Sequence, residues 1–336
     1  MILADLPQRL PGWLSADHNK DCIPSLQPRK IIAMDRITVE ALRGLRAAHK
    51  TLFRREDPTG YSFANVQVSG QAASDLIRAR LEGGAPAMIA RFGSAELRAA
   101  LCHEFSRRDE PPLHKALQFI RREYTEYWWD KRVVRGMTRN AGFFPADERL
   151  LARFAELLID DMRQVDVLGS WMTAERVFAA QLERATFVNL EDLPPWVHAN
   201  PWSEVLAGRT VLVIHPFVKS IEAQYRKRAL LFDDPRVLPE FELKTIRAVQ
   251  SIAYTDTEFG DWFAALHSMQ AQIEATRFDV AIIGCGQIAP AHLDGYDESV
   301  RARVVAVSDV QPSALGRVLD RYPGVRGFRD YHEMLE

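Results

Sequence analysis

The chain has 336 residues, 47% of them apolar, enough for one large core or two moderate ones. Forty-three Lys and Arg against 45 Asp and Glu leave a formal charge of −2, so there is no bulk electrostatic case for nucleic acid or a membrane surface, and any anion site has to be local. The three cysteines, Cys22, Cys102 and Cys285, are odd in number and widely spaced, which excludes a disulfide framework and a CxxC metal pair and fits a reducing cytoplasm.

The opening run MILADLPQRLPGWL has no basic region ahead of a continuous apolar core, and no run approaches about 18 apolar residues, so neither a signal peptide nor a transmembrane segment is expected. Residues 1–35, with Pro7, Pro11, Pro24 and Pro28, read as an irregular lead-in. From 38 to 53, Leu42, Leu45, Ala48 and Leu52 recur at helical spacing until Pro58 and Gly60 break the pattern. A helix over 71–81 ends at Gly83 and Gly84. The apolar run 87–92 predicts a short strand that Gly93, Ser94, Ala95 and Glu96 turn into a helix.

Residues 112–131 read as one helical, aromatic segment carrying Phe119, Tyr124, Tyr127, Trp128 and Trp129, a face that is more often core than a sugar platform. A loop at 140–143 precedes a helix with Leu150, Leu151, Phe154, Leu157 and Leu158. Runs 165–168 and 186–190 predict two more strands, separated by a helix through Val177, Phe178 and Leu182. This alternation implies a parallel sheet with right-handed crossovers. Trp196 and Trp202 sit in proline-bounded turns, where capping the core is commoner than stacking on a sugar.

The rest of the chain is organised around 209–253. Val211, Leu212, Val213 and Ile214 form an apolar, β-branched run too short for a helix, as a strand buried on both faces should be. His215, Pro216 and Phe217 follow. Ile221, Tyr225 and Leu230, with Arg226, Lys227 and Arg228, then read as an amphipathic helix starting near Lys219 and Ser220. Ligands of open α/β sheets sit beyond the carboxyl ends of the strands, where a helix N-terminus offers free N–H groups, so Lys219 and Ser220 are candidates to meet a phosphate. A helix over 259–273 and a buried strand over 280–283 follow, the strand running into Gly284, Cys285 and Gly286.

HPF, KSI with QY, LPEFELKTI and AVQSIA in this stretch closely resemble bacterial proteins of polysaccharide loci related to the GT-D class of glycosyltransferases. The resemblance extends through ARFGSAEL (90–97), RNAGFFP (139–145), VDVLGSW (165–171), LPPW (193–196) and FDVAIIGCG (278–286), and covers roughly residues 70–286. It implies a sugar transfer from a nucleotide diphosphate donor to a glycan or lipid-linked acceptor. Relatives commonly show Arg-Phe-Gly-Asp-Gly-Glu at the first corner, where an Asp-x-Glu pair holds a divalent metal on the diphosphate. This chain keeps Arg91 and Glu96 and has Ser94 in place of the Asp, which leaves dependence on Mn²⁺ or Mg²⁺ open. The resemblance also implies that Asn140 lies near the nucleotide-sugar site, where relatives usually have two asparagines and this chain has Arg139 first. On this reading Arg91, Ser94, Asn140, Lys219, Ser220, Gly284 and Gly286 bind the donor, and Glu96 and His215 are the catalytic candidates. His215 would be an acid or base, or a hydrogen-bond partner of a phosphate.

From Gly284 onward the text instead resembles the opening of the Gfo/Idh/MocA oxidoreductases. Gly284, Gly286 and Ala289 fit the dinucleotide glycine pattern, and a second strand at 304–307 leads to Asp309, near the position that holds a ribose hydroxyl of NAD. The remainder of that family's cofactor domain, its catalytic lysine segment and its substrate sheet are missing.

The expected fold is therefore α/β, a Rossmann-like, mostly parallel sheet flanked by helices, with a mainly helical N-terminal extension. The expected divisions are 1–62 as the extension, 63–286 as the glycosyltransferase-like domain, and 287–336 as a Rossmann-type segment completing the sheet, with 304–307 beside 280–283. The leading function is a cytoplasmic glycosyltransferase, peripheral to the inner face of the membrane if membrane-associated at all. The alternatives are an NAD(P)-binding oxidoreductase-like protein and a non-catalytic partner in polysaccharide assembly. No nucleic-acid partner is expected, and the oligomeric state is left open.

Overall fold

The computed structural model describes residues 2–4, 36–53, 58–249 and 258–283, and in the tail 306–308, 315–316, 319–320 and 324–329. The chain divides into two compact units, Met1–Cys285 and Gly286–Glu336. In chain order the first unit contains β1 (Ile2–Ala4), α1 (Arg36–Phe53), α2 (Gln71–Glu82), β2 (Ala87–Ala90), α3 (Ser94–Arg107), α4 (Pro112–Ile120), α5 (Lys131–Asn140) and α6 (Glu148–Asp161). There follow β3 (Val167–Ser170), β4 (Thr186–Asn189), β5 (Thr210–His215), α7 (Val218–Tyr225), β6 (Glu242–Arg247), α8 (Trp262–Glu274) and β7 (Val280–Ile283).

The protein is α/β, with a Rossmann-like, mostly parallel sheet flanked by helices. The first unit's strands form one sheet in the order β4-β3-β2-β1-β7-β5-β6. The β2–β3, β3–β4, β5–β6 and β5–β7 pairs are parallel, and β1 alone runs against its neighbours β2 and β7. The sheet is doubly wound: the chain adds β3 and β4 outward from β2, then crosses to build β5, β6 and β7 on the other side.

Side-chain alternation explains why the inner strands read as unbroken apolar runs. Met88, Ala90, Leu168, Leu212, Ile214 and Ala281 enter one core with Leu97, Leu101, Phe105, Phe119 and Trp128. Ala87, Ile89, Val167, Val211 and Val280 enter the other with Ile77, Leu81 and Trp202. Both faces are thus buried under helices. At the amino edge, acidic side chains tie neighbouring strands together. Asp166 accepts the Met88 N–H at 3.0 Å, and Asp279 accepts the Thr210 N–H at 2.7 Å. Those carboxylates are committed to backbone, which leaves chemistry to the opposite edge.

Helix α1 belongs to this unit. Val39 and Leu42 join the first core, Arg46 donates to the carbonyls of Phe119 and Tyr124, and Arg43 pairs with Asp130. Among the described residues no helix is long and apolar enough to cross a membrane.

Several expectations are corrected. The expected continuous helix over 112–131 stops at Ile120, because Arg122 takes a left-handed φ of 64°, and a new helix starts only after Asp130, whose side chain accepts from the N–H groups of Arg132 and Val133. Tyr124, Tyr127, Trp128 and Trp129, in the loop between, are nonetheless core. The expected helix through Val177 is a 3₁₀ turn, Thr173–Phe178. The lead-in contributes β1. Trp202 is buried, whereas Trp196 is 59% exposed.

Among the described residues the tail adds no strand to the main sheet. Strand β7 already has β1 on one side and β5 on the other, so neither edge is open to a further strand. In the second unit, β8 (Ala306–Ser308) pairs in parallel with β9 (Arg326–Phe328) instead, in a sheet of its own.

Candidate active site

In a doubly wound sheet the crevice opens beyond the carboxyl ends of the strands where the winding reverses. Here that is the region between the ends of β2 and β5, which are separated in the sheet by β1 and β7. Three strand spacings put the two strand ends about 14 Å apart. The predicted residues therefore form two corners, not one cluster.

The first corner follows β2. Gly93 is the N-cap of α3, which places Ser94, Ala95 and Glu96 in the helix's first turn. The Glu96 side chain folds back over Gly93, so that a Cβ at position 93 would overlap its carboxylate. It accepts from its own backbone N–H, as an acidic side chain at the positive end of a helix should. Burial pushes the Glu96 pKa up, opposed by that hydrogen bond and by the positive charge of Arg91. Arg91 and Ser94 are exposed beside it.

Asn140 ends α5, and the loop after it reaches the same edge. Helix α8 begins at this edge, and the Trp262 N–H donates to the carbonyl of Phe144 at 2.7 Å. Phe143 packs in a cluster with Met137, Phe154 and Phe263, bordered by Ala95 and Trp262. Asn140 is exposed.

The second corner follows β5. His215 closes the strand, and Val218, Lys219 and Ser220 form the first turn of α7, which has no side-chain cap. Lys219 and Ser220 are exposed. His215 Nδ1 accepts the Phe217 N–H at 3.0 Å, and burial pushes the imidazole pKa down, so the ring is neutral with its proton on Nε2. That tautomer can donate from Nε2, as a phosphate oxygen requires, while the nitrogen with the lone pair is already engaged. Of the roles open from sequence, the geometry favours hydrogen-bond donor over base.

Between the two corners and the β3–β4 side, the structure adds residues that pattern reading missed. Trp171, just after β3, donates its indole N–H to the Phe92 carbonyl at 2.9 Å and so abuts the first corner. Glu175 is fully buried and accepts from the Ser170 hydroxyl, the N–H groups of Trp171 and Met172 at 3.1 and 3.2 Å, and the Asn65 amide at 3.3 Å. It locks the turn that carries Trp171. Tyr61 packs against Trp171, with ring centroids 5.8 Å apart.

The metal-ligating set at the first corner is one carboxylate, Glu96, turned onto its own helix, with the neutral Ser94 beside it. Among the described residues no group of three or more His, Cys, Asp and Glu is gathered as for a metal ion. Gly284, Gly286 and Asp309, the proposed NAD-binding residues, lie outside the described residues.

No family model, curated protein or solved structure matches the chain.

Proposed function

We propose that the protein is a glycosyltransferase that moves a sugar from a nucleoside diphosphate donor to a glycan or lipid-linked acceptor. The observation that carries this reading is the pair of corners at the sheet's carboxyl edge, one at the start of α3 and one at the start of α7, flanking the reversal of winding. Lys219, Ser220, the Nε2 proton of His215 and the uncapped N–H groups of α7 offer a diphosphate several donors at once, and that set meets the main electrostatic demand of the reaction, the charge growing on the leaving group. An extended donor bridges from there towards Arg91 and Asn140. Glu96 is the acid–base candidate, because a half-buried carboxylate with a raised pKa holds a proton more readily than an exposed one.

Trp196, Val197, Leu230 and Leu231 are exposed, and Trp196 stacks on Phe232 with ring centroids 6.1 Å apart. Arg226 and Lys227 are exposed just before them in the chain. Aromatic, aliphatic and basic side chains in this combination suit the surface of an anionic bilayer, and support a location at the inner face of a membrane beside a lipid-linked acceptor.

The donor reading is tested by thermal unfolding with UDP and GDP at millimolar concentration. A ligand that binds only the native state raises the melting temperature, and Lys219→Ala should reduce the shift. If neither nucleotide moves the transition, the reading fails.

A further inference from the structure

We infer that Tyr61 and Trp171 form a stacking platform for the pyranose ring of a carbohydrate, with Glu191 as the hydrogen-bond acceptor at its rim. The role of this subsite in sugar transfer rests on the donor reading above, but the binding itself does not.

The platform is built from distant parts of the chain. Residues 58–68 lie along the ends of β3 and β4. Tyr61 makes an antiparallel bridge with Met172, the Ser62 N–H donates to the Trp171 carbonyl at 2.8 Å, and the Gln67 N–H donates to the Phe187 carbonyl at 2.8 Å. The Trp171 ring is held through its indole N–H on Phe92, and the turn beneath it is held by Glu175. The Tyr61 ring has Phe63 edge-on at 4.9 Å and Trp171 tilted at 5.8 Å, and its hydroxyl donates to Glu191 Oε1 at 2.7 Å. That hydrogen bond, with burial and the Glu191 charge adding to it, raises the phenol to about 12, so it stays neutral.

Tyr61 is nevertheless 56% exposed. An aromatic ring held at its hydroxyl and against two neighbouring rings while the residue stays more than half exposed is preorganised for a ligand that has an apolar face of its own. A pyranose has such a face of C–H groups and a perimeter of hydroxyls. The charges select the same class. Glu191 and Asp192 are acidic, and although the Asp192 carboxylate is occupied by the Gly70 N–H at 2.6 Å, their field opposes a phosphate and favours neutral hydroxyl donors. The cationic second corner has the opposite preference. The Trp171–Phe92 hydrogen bond ties the platform's indole ring to the residue just before the first corner's Gly93.

The test uses the full chain and two independent readouts. Saturation-transfer NMR is recorded with methyl β-D-glucopyranoside, methyl β-D-galactopyranoside and methyl α-D-mannopyranoside, and thermal shift with UDP is recorded on the same samples. At least one glycoside should show transfer concentrated on its ring C–H protons. Tyr61→Ala should weaken that binding about tenfold, the order of a lost stacking partner. Glu191→Gln should weaken it less, and Lys219→Ala should leave it unchanged while reducing the UDP shift. Tyr61→Phe, which keeps the ring, serves as the control for folding and should retain most of the signal. Absence of transfer to all three glycosides overturns the platform, as does a Tyr61→Ala variant that binds like the parent. Loss of the UDP shift in Tyr61→Ala would show that the surface holds the nucleobase, and would overturn it too. A missing UDP shift with intact glycoside binding would instead remove the donor reading and leave the platform standing.

Discussion

Replacing Glu175 with Ala removes the acceptor for four donors in one step. Two of them, the N–H groups of Trp171 and Met172, belong to backbone and cannot turn towards another partner. Ser170 Oγ and the Asn65 amide have some freedom to rotate, though both are buried. An unsatisfied buried donor costs about 1–3 kcal/mol, so two fixed donors and the cavity left by the side chain should together cost about 3–5 kcal/mol. Glu175→Gln keeps one oxygen for the backbone but turns an NH₂ group towards Ser170 and Asn65, and should cost about 1–2 kcal/mol. The pH dependence separates this account from a simple loss of volume. Burial raises the Glu175 pKa against the pull of its hydrogen bonds. A carboxyl whose folded pKa lies above its unfolded value, about 4.3, contributes most below that pH and loses the contribution as pH rises through the folded value. The stability gap between parent and Glu175→Gln should therefore be widest in acid and narrow towards neutrality. Urea unfolding of the three proteins between pH 4 and 7, with the slope of free energy on urea checked for constancy, measures this. A Glu175→Ala cost below about 1 kcal/mol with an unchanged slope would refute the reasoning, because donors that have no acceptor cannot be that cheap.

Ser94→Asp adds a second carboxylate two positions before Glu96 in the first turn of α3, and should make nucleotide binding respond to Mn²⁺ more strongly than in the parent; titrations with and without the metal that coincide for both proteins would remove Ser94 from the donor's surroundings. Leu230→Ser, at a side chain 84% exposed, should lower sedimentation with phosphatidylserine-containing vesicles several-fold without moving the melting temperature. Equal sedimentation of parent and variant would rule out a bilayer as the partner of that patch.

The inner parallel strands were legible because burial on both faces leaves an unbroken apolar run, whereas the short central strand β1 was not, and the helix starts at Ser94 and near Lys219 were legible from the glycine or proline that ends each preceding strand. The edge strand β6 and the joints were not. Glu242–Arg247 is an edge strand of mixed polarity, ELKTIR, without the apolar run of its inner neighbour β5. The break after Ile120 depends on one left-handed arginine, which no composition signal announces. Tyr61 and Glu191 are 130 positions apart, and their hydrogen bond follows from the path of residues 58–68 across the sheet's edge, which local pattern does not encode. Glu175 was hidden differently: within a segment that read as an ordinary amphipathic helix, a carboxylate four residues after Trp171 passes for a solvent-facing charge until the 3₁₀ turn buries it.

The pairing of β7 on both of its sides leads to the last prediction. Had 304–307 been the neighbour of 280–283, deleting the tail would have exposed an apolar strand edge with unpaired N–H and C=O groups, and aggregation would follow. With β7 paired to β1 from Ala4 to Ile2 and to β5 from Val211 to Ile214, its backbone groups are satisfied on both sides without any residue after Cys285. A chain ending at Cys285 should therefore unfold cooperatively, and its UDP-induced shift should match that of the full chain. The N-terminal strand becomes the sensitive element instead. Deleting residues 1–4 opens one edge of both β2 and β7 in the middle of the sheet, so this variant should aggregate where the C-terminal deletion does not. Differential scanning calorimetry and light scattering on the two deletions decide the matter. A stable N-terminal deletion beside an aggregating C-terminal one would mean that the sheet is completed from the tail after all.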